Sequence, residues 1–153
     1  MKTVFQAPVL AKNQYTMPAS SDRAIAIVAE AERQSLDQGP QVDLETTHNL
    51  YAGIYSRTVR VPAGVVITGA TIKIPTVLTI VGNMILNVGD NAYEINGVTA
   101  FNAKAPRKQI MFAKTDCVVT MAFATKARTI EEAEAEFTDE VDALLSRKKE
   151  KMQ

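Results

Sequence analysis

The side chains that could do chemistry are few and scattered. There is one histidine, His48, and one cysteine, Cys117. A zinc, iron or manganese centre needs several imidazole, thiolate or carboxylate groups converging on one point, so neither a metal site nor another cofactor is expected. His48 lies in the polar run Glu45-Thr46-Thr47-His48-Asn49. A surface or hydrogen-bonded histidine is the ordinary occupant of such a run, because a general base needs partners that the run does not supply. Cys117 opens the apolar run Cys117-Val118-Val119 and reads as a buried strand thiol, and a single cysteine excludes an internal disulfide. Asp90, Glu94 and Asp116 fall at turns and strand edges, without the rigid opposed placement of a glycosidase pair. Walker-type loops, Gly-x-Ser-x-Gly elbows and Gly-rich dinucleotide turns are missing, and Gly53, Gly64, Gly69, Gly82, Gly89 and Gly97 stand where turns and strand ends want them. Lys104, Arg107 and Lys108 flank Pro106 between two expected strands. They would form a small positive patch that could meet an acidic partner surface, although a solvated turn is the commoner fate of exposed charges. No enzyme is expected.

The elements that would carry these residues fall into three stretches. Residues 1–41 read as an extended arm, Met1 to Ala19, followed by a helix. The arm lacks sustained periodicity and cannot fold alone. Ser20, Ser21 and Asp22 are N-cap types before Ala24, Ile25, Ile27, Val28, Ala31 and Leu36, and Gly39-Pro40 stops the pattern, which predicts a helix from about Asp22 to Gln38. Residues 42–126 read as a β-barrel. Short runs rich in Val, Ile and Thr predict strands near 54–61, 65–73, 76–81, 84–88, 92–95, 98–103, 108–113 and 117–124. Asn96-Gly97 is the strongest hairpin signal and should join two antiparallel strands. Residues 127–153 read as a C-terminal helix and basic tail. Thr129 and Glu132 are spaced as a capping box, and Ala133, Phe137, Val141, Leu144 and Leu145 follow on one side. Its acidic start and basic end complement a helix dipole, which accounts for the charge run without a ligand.

The chain has 153 residues, enough for one domain with a proper core. Seventeen basic and seventeen acidic side chains cancel, so neither nucleic acid nor an anionic membrane is an expected partner. The first residues break at Pro8 before any long apolar stretch and fail the tests for a signal peptide and a spanning helix. An intracellular product is expected, soluble or built into an assembly.

The segment Tyr51-Ala-Gly-Ile-Tyr-Ser-Arg-Thr-Val-Arg-Val-Pro-Ala-Gly64, continued by Thr68-Gly69-Ala-Thr-Ile-Lys73, resembles the opening of small cupin-like proteins of tailed phages. Gly82, the Ala105-Pro106-Arg107 turn, the Val118–Ala124 strand and the acidic helix follow in the family's order, so the resemblance covers roughly residues 42 to 137. It implies a mainly β, single jelly-roll or cupin-like barrel with an N-terminal arm and helix and a C-terminal helix. Metal-binding cupins carry a His-x-His pair and a glutamate where this chain reads Ile72-Lys73-Ile74-Pro75-Thr76-Val77, so no ligand set carries over.

Jelly rolls of this size also serve phages as capsid decoration, or cement, proteins. The leading expectation is therefore a virion structural protein, made in the host cytoplasm, homo-oligomeric, and bound to the major capsid protein or another virion protein. Val4, Phe5, Val9, Leu10 and Tyr15 would be its apolar anchors, with Lys104, Arg107 and Lys108 as charged contacts. One alternative is a metal-free cupin-like barrel that binds a small ligand, for which Tyr55, Arg57 or Thr79 would have to point inward. Another is a tail or host-attachment component.

Overall fold

The computed structural model describes residues 15–39, 41–87 and 92–144. Val4, Phe5, Val9, Leu10 and the basic tail lie outside the described residues. In chain order the elements are β1 (Tyr15–Met17), α1 (Asp22–Gln38), β2 (Thr46–Tyr51), β3 (Ile54–Val61), β4 (Val66–Thr68), β5 (Thr76–Val81), β6 (Met84–Asn87), β7 (Ala92–Ile95), β8 (Val98–Ala103), β9 (Ile110–Ala113), β10 (Cys117–Ala124), α2 (Ile130–Phe137) and a 3-10 turn at Val141–Ala143.

One sheet runs β1-β8-β5-β10-β3-β2 and the other β4-β9-β6-β7. The chain passes from the first sheet to the second between β5 and β6 and returns between β7 and β8. A long ribbon, β5–β6 against β7–β8, is thus folded over both sheets, which is the topology of a jelly roll. Period-two alternation turns one face of each sheet inward: Leu78 and Ile80 of β5, Leu86 of β6, Met111 and Ala113 of β9, and Val119, Met121 and Phe123 of β10 are all buried.

The strand reading holds to the residue for β3, β5, β7, β8 and β10, and α1 spans its expected range with Ser21 Oγ accepting from Ala24 N–H at 3.1 Å. Four expectations are corrected. Asn96-Gly97 supplies the positive-φ turn (Gly97 φ +84°) but joins no hairpin, because β7 pairs with β6 while β8 pairs with β5 and β1. The turn signal specifies local backbone geometry, and here the chain uses it to change sheets. The run 65–73 breaks after β4 at Gly69, leaving Ile72 in an isolated bridge to Arg107. The polar segment before Tyr51 is strand β2, held to β3 across the tight turn Ala52-Gly53, both at positive φ. The C-terminal helix stops at Phe137: Thr138 Oγ1 accepts from Glu140 N–H at 3.1 Å, a local turn that competes with the helix, and Glu140 is drawn to Thr71 N–H at 2.7 Å.

The corner between β5 and β6 depends on one glycine. Gly82 has φ +121°, donates to the Gly97 carbonyl at 2.8 Å, and would place a Cβ 2.7 Å from Cys117 Sγ and 2.8 Å from the Asp116 carbonyl oxygen. Gly82→Ala is expected to cost at least about 2 kcal/mol in urea denaturation, from backbone strain and overlap together. A loss below about 0.5 kcal/mol would show that the corner is free to shift.

Candidate functional site

Between the two sheets lies a cavity of about 150 Å³. Val59, Leu78, Val119 and Met121 wall it from the larger sheet, Ile67 and Met111 from the smaller, Phe137 from α2, and Leu44 and Leu144 from the connecting segments. Four polar side chains join this lining: Arg57, Thr68, Arg107 and Gln109.

Arg107 reaches the interior because its backbone is clamped to Ile72 by a reciprocal pair of bonds, at 2.8 and 3.0 Å, and because alternation from this bridge into β9 turns Arg107, Gln109, Met111 and Ala113 inward. Arg107 is 0 % exposed. Its Nη2 donates to Thr76 Oγ1 at 2.7 Å and its Nη1 to the Lys104 carbonyl at 3.3 Å, while Nε has no partner. Among the described residues, no carboxylate lies within ion-pairing distance of it. Desolvation brings its pKa down to about 10. That shift corresponds to a penalty on the order of 3 kcal/mol for holding the charge at neutral pH. Gln109, also buried, has an Oε1 without a partner, and its Nε2 makes only a 3.8 Å contact to Met111 Sδ.

Arg57 sits on β3 and donates to Glu134 Oε2 of α2 at 3.3 Å, the two side chains being 10 % and 2 % exposed. Next to it Tyr55 is fully buried against Phe123 and Phe137, and its hydroxyl meets His48 Nδ1 at 2.8 Å. Burial pushes the His48 pKa down, and the Arg57 charge adds to the effect; burial pushes that of Tyr55 up. The fold therefore favours neutral His48, and below the ordinary value of 6.5 the unfolded chain binds the extra proton first. Stability is complete above that value and falls as pH drops toward the folded pKa. In urea titrations between pH 7.5 and 5, His48→Gln is expected to lose this part of the pH dependence; an unchanged slope would contradict it.

The remaining sequence candidates are dispersed. Tyr15, on β1, is half exposed, and Lys104 is exposed. Arg107 and Lys108 are withdrawn from the expected surface patch: Arg107 faces the cavity, and Lys108 is 1 % exposed, between α1 and the turn after α2. There its Nζ donates to the Gly69 carbonyl at 2.9 Å and pairs with Glu32 and Glu140, each at 3.3 Å. Burial raises the Glu140 pKa, but the Thr71 N–H and Lys108 outweigh it and hold the carboxyl below its usual value. Of the residues proposed for an inward-facing ligand site, Tyr55 and Arg57 do point in, whereas Thr79 stands on the outer face, as its alternation with buried Leu78 and Ile80 requires. Glu134 is buried and paired, so the acidic run of α2 does more than complement a dipole. Gln109 belongs to no motif in the sequence, although its i−2 and i+2 neighbours Arg107 and Met111 share its face.

A metal does not fit this cavity. Among the described residues no group of three His, Cys, Asp or Glu side chains could hold an ion. The polar corner offers a guanidinium, which repels a cation.

No protein-family model matches the chain, and no curated protein matches it in sequence. Among solved structures, a cupin-2 domain containing protein from Shewanella frigidimarina is similar at 10 % identity and a TM-score of 0.44, with 62 % of this chain and 91 % of that one covered. Ectoine synthase from P. lautus is similar at 14 % identity and 0.44, covering 64 % and 75 %. A salicylate 1,2-dioxygenase from Pseudaminobacter salicylatoxidans is similar at 12 % identity and 0.49, covering 88 % of this chain and 42 % of the dioxygenase. Likeness at this level says nothing of activity, and the jelly-roll assignment rests on the strand order.

Proposed function

We propose that this chain is a cupin-like barrel that binds a small ligand in its interior without a metal. The observation that carries the reading is the cavity itself: about 150 Å³, with apolar walls and a few convergent polar groups. A cavity of about this size accommodates a molecule no larger than about a benzene ring. The space that the apolar walls leave unfilled between the sheets, lined in part by Arg107 and Gln109, favours an occupant.

The test is a thermal-shift screen of compounds of about four to seven heavy atoms, near benzene in size, against the full chain and against Val119→Phe, which fills the cavity. The reading expects at least one compound to raise the midpoint of the parent and leave the filled variant unmoved. Equal responses in both proteins would place binding elsewhere and sink the reading.

The assembly role is kept as a second reading, for one observation. The outer face of the six-stranded sheet carries Thr58, Thr79, Thr120 and Ala122, together with exposed Val77, Val81 and Val98, a largely uncharged surface with Arg60 at its border. A virion decoration protein, or a tail component, would have a use for such a face. Light scattering separates the two readings at this point: Thr120→Arg should lower the mass of an oligomer built on this face and leave a monomeric barrel unchanged.

A further inference from the structure

Two side chains that line the cavity each carry a buried polar atom without a partner, and the two atoms are of opposite kinds. Arg107 Nε is a charged donor with no acceptor, and Gln109 Oε1 is an acceptor with no donor. Both side chains are more than nine-tenths buried and both line the same space. They are alternate residues of one extended run, and such residues stand roughly 6.8 Å apart on one face of a strand. Resting on the reading of the barrel as a ligand site, we infer that its occupant is a small monocarboxylate bearing a hydroxyl group, with the carboxylate on Arg107 and the hydroxyl donating to Gln109.

Charge sets the valence. Arg57 is already matched by Glu134, so the cavity holds one uncompensated positive charge. A monoanion neutralises it, whereas a dianion would bury an excess negative charge. Size sets the length: a cavity of about 150 Å³ limits the occupant to a few carbons, and the walls of Val59, Leu78 and Met111 accept the alkyl part. A carboxylate without a hydroxyl leaves Gln109 Oε1 unsatisfied, and a diol without a carboxylate leaves the Arg107 charge unmatched.

The experiment titrates the full chain with 2-hydroxybutyrate, butyrate and 1,2-butanediol, by calorimetry and by the methyl resonances of Met111 and Met121, which line the cavity. Hydroxybutyrate should bind and move both methyls, with an affinity about ten- to a hundredfold above butyrate, and the diol should not bind. Gln109→Leu should bring hydroxybutyrate down to the level of butyrate, and Arg107→Met should abolish both. Arg107→Met removes a buried, unpaired charge, so its denaturation midpoint shows directly that lost binding is not lost folding. If neutral compounds move the two methyls and no carboxylate does, the ligand class is wrong and the barrel reading survives. If no compound of any charge moves them, both fall together. Hydroxybutyrate binding that persists in Arg107→Met also overturns the inference.

Discussion

Glu134→Ala is expected to destabilise the fold by about 3–5 kcal/mol, the cost of leaving Arg57 charged and almost dry with nothing to neutralise it. The effect follows from burial more than from the strength of the pair, since an exposed pair such as Lys73–Asp139 would cost about 1 kcal/mol or less. Replacing both partners, as in Arg57→Met with Glu134→Leu, should recover most of the loss, because the apolar pair needs no compensation. Urea denaturation of the two single variants and the double variant closes the cycle. A loss of under about 1 kcal/mol for Glu134→Ala would mean that water reaches Arg57 in the native state.

Phe137→Ala should cost a similar amount, about 3–5 kcal/mol, for a different reason. Phe137 is 1 % exposed and is the last residue of α2, with its ring centroid 6.1 Å from Tyr55 and 6.0 Å from Phe123. It fixes the helix to the end of the barrel and forms part of the cavity wall. Truncation removes the ring's burial and leaves a void that the β-sheets on either side cannot close. Phe137→Leu, which keeps most of the apolar volume, should lose less than half as much. Equal losses from the two substitutions would locate the effect in helix formation and not in packing.

Much of this architecture could be read from residue order. Runs of β-branched residues closed by Gly, Pro and Asn located most strands, because turn chemistry and side-chain alternation are local properties. Pairing is not local. Asn96-Gly97 carries the same turn signal whether the strands beside it pair or, as here, enter different sheets. Strand β2 was hidden because an edge strand needs only one buried face, and Thr46, His48 and Leu50 supply it with two polar residues out of three. The helix after Thr129 read as longer than it is, since its apolar spacing runs on through Val141 and Leu144. The turn made by Thr138 and the pull of Thr71 and Lys108 on Glu140 are tertiary facts.

The candidate site was less legible than the fold. Arg57 and Tyr55 were named as inward-facing possibilities, and both face inward. Arg107 and Lys108 read as surface charges because their type predicts exposure, and a sequence offers little to say that one will cap a cavity and its neighbour will pin a helix. The signal that existed was alternation: Arg107 and Gln109 extend the buried face of Met111 and Ala113 backward by two positions each.

The central claim is that the interior of this jelly roll takes up a small molecule. The most direct measurement records the methionine methyl spectrum of the full chain, labelled on its six methionines, across a library of small compounds. Met111 and Met121 line the cavity, whereas Met84 is equally buried but lies away from it. The account predicts saturable shifts at Met111 and Met121 with Met84 unmoved. A spectrum in which none of the three responds, or in which Met84 moves together with the others, would contradict it.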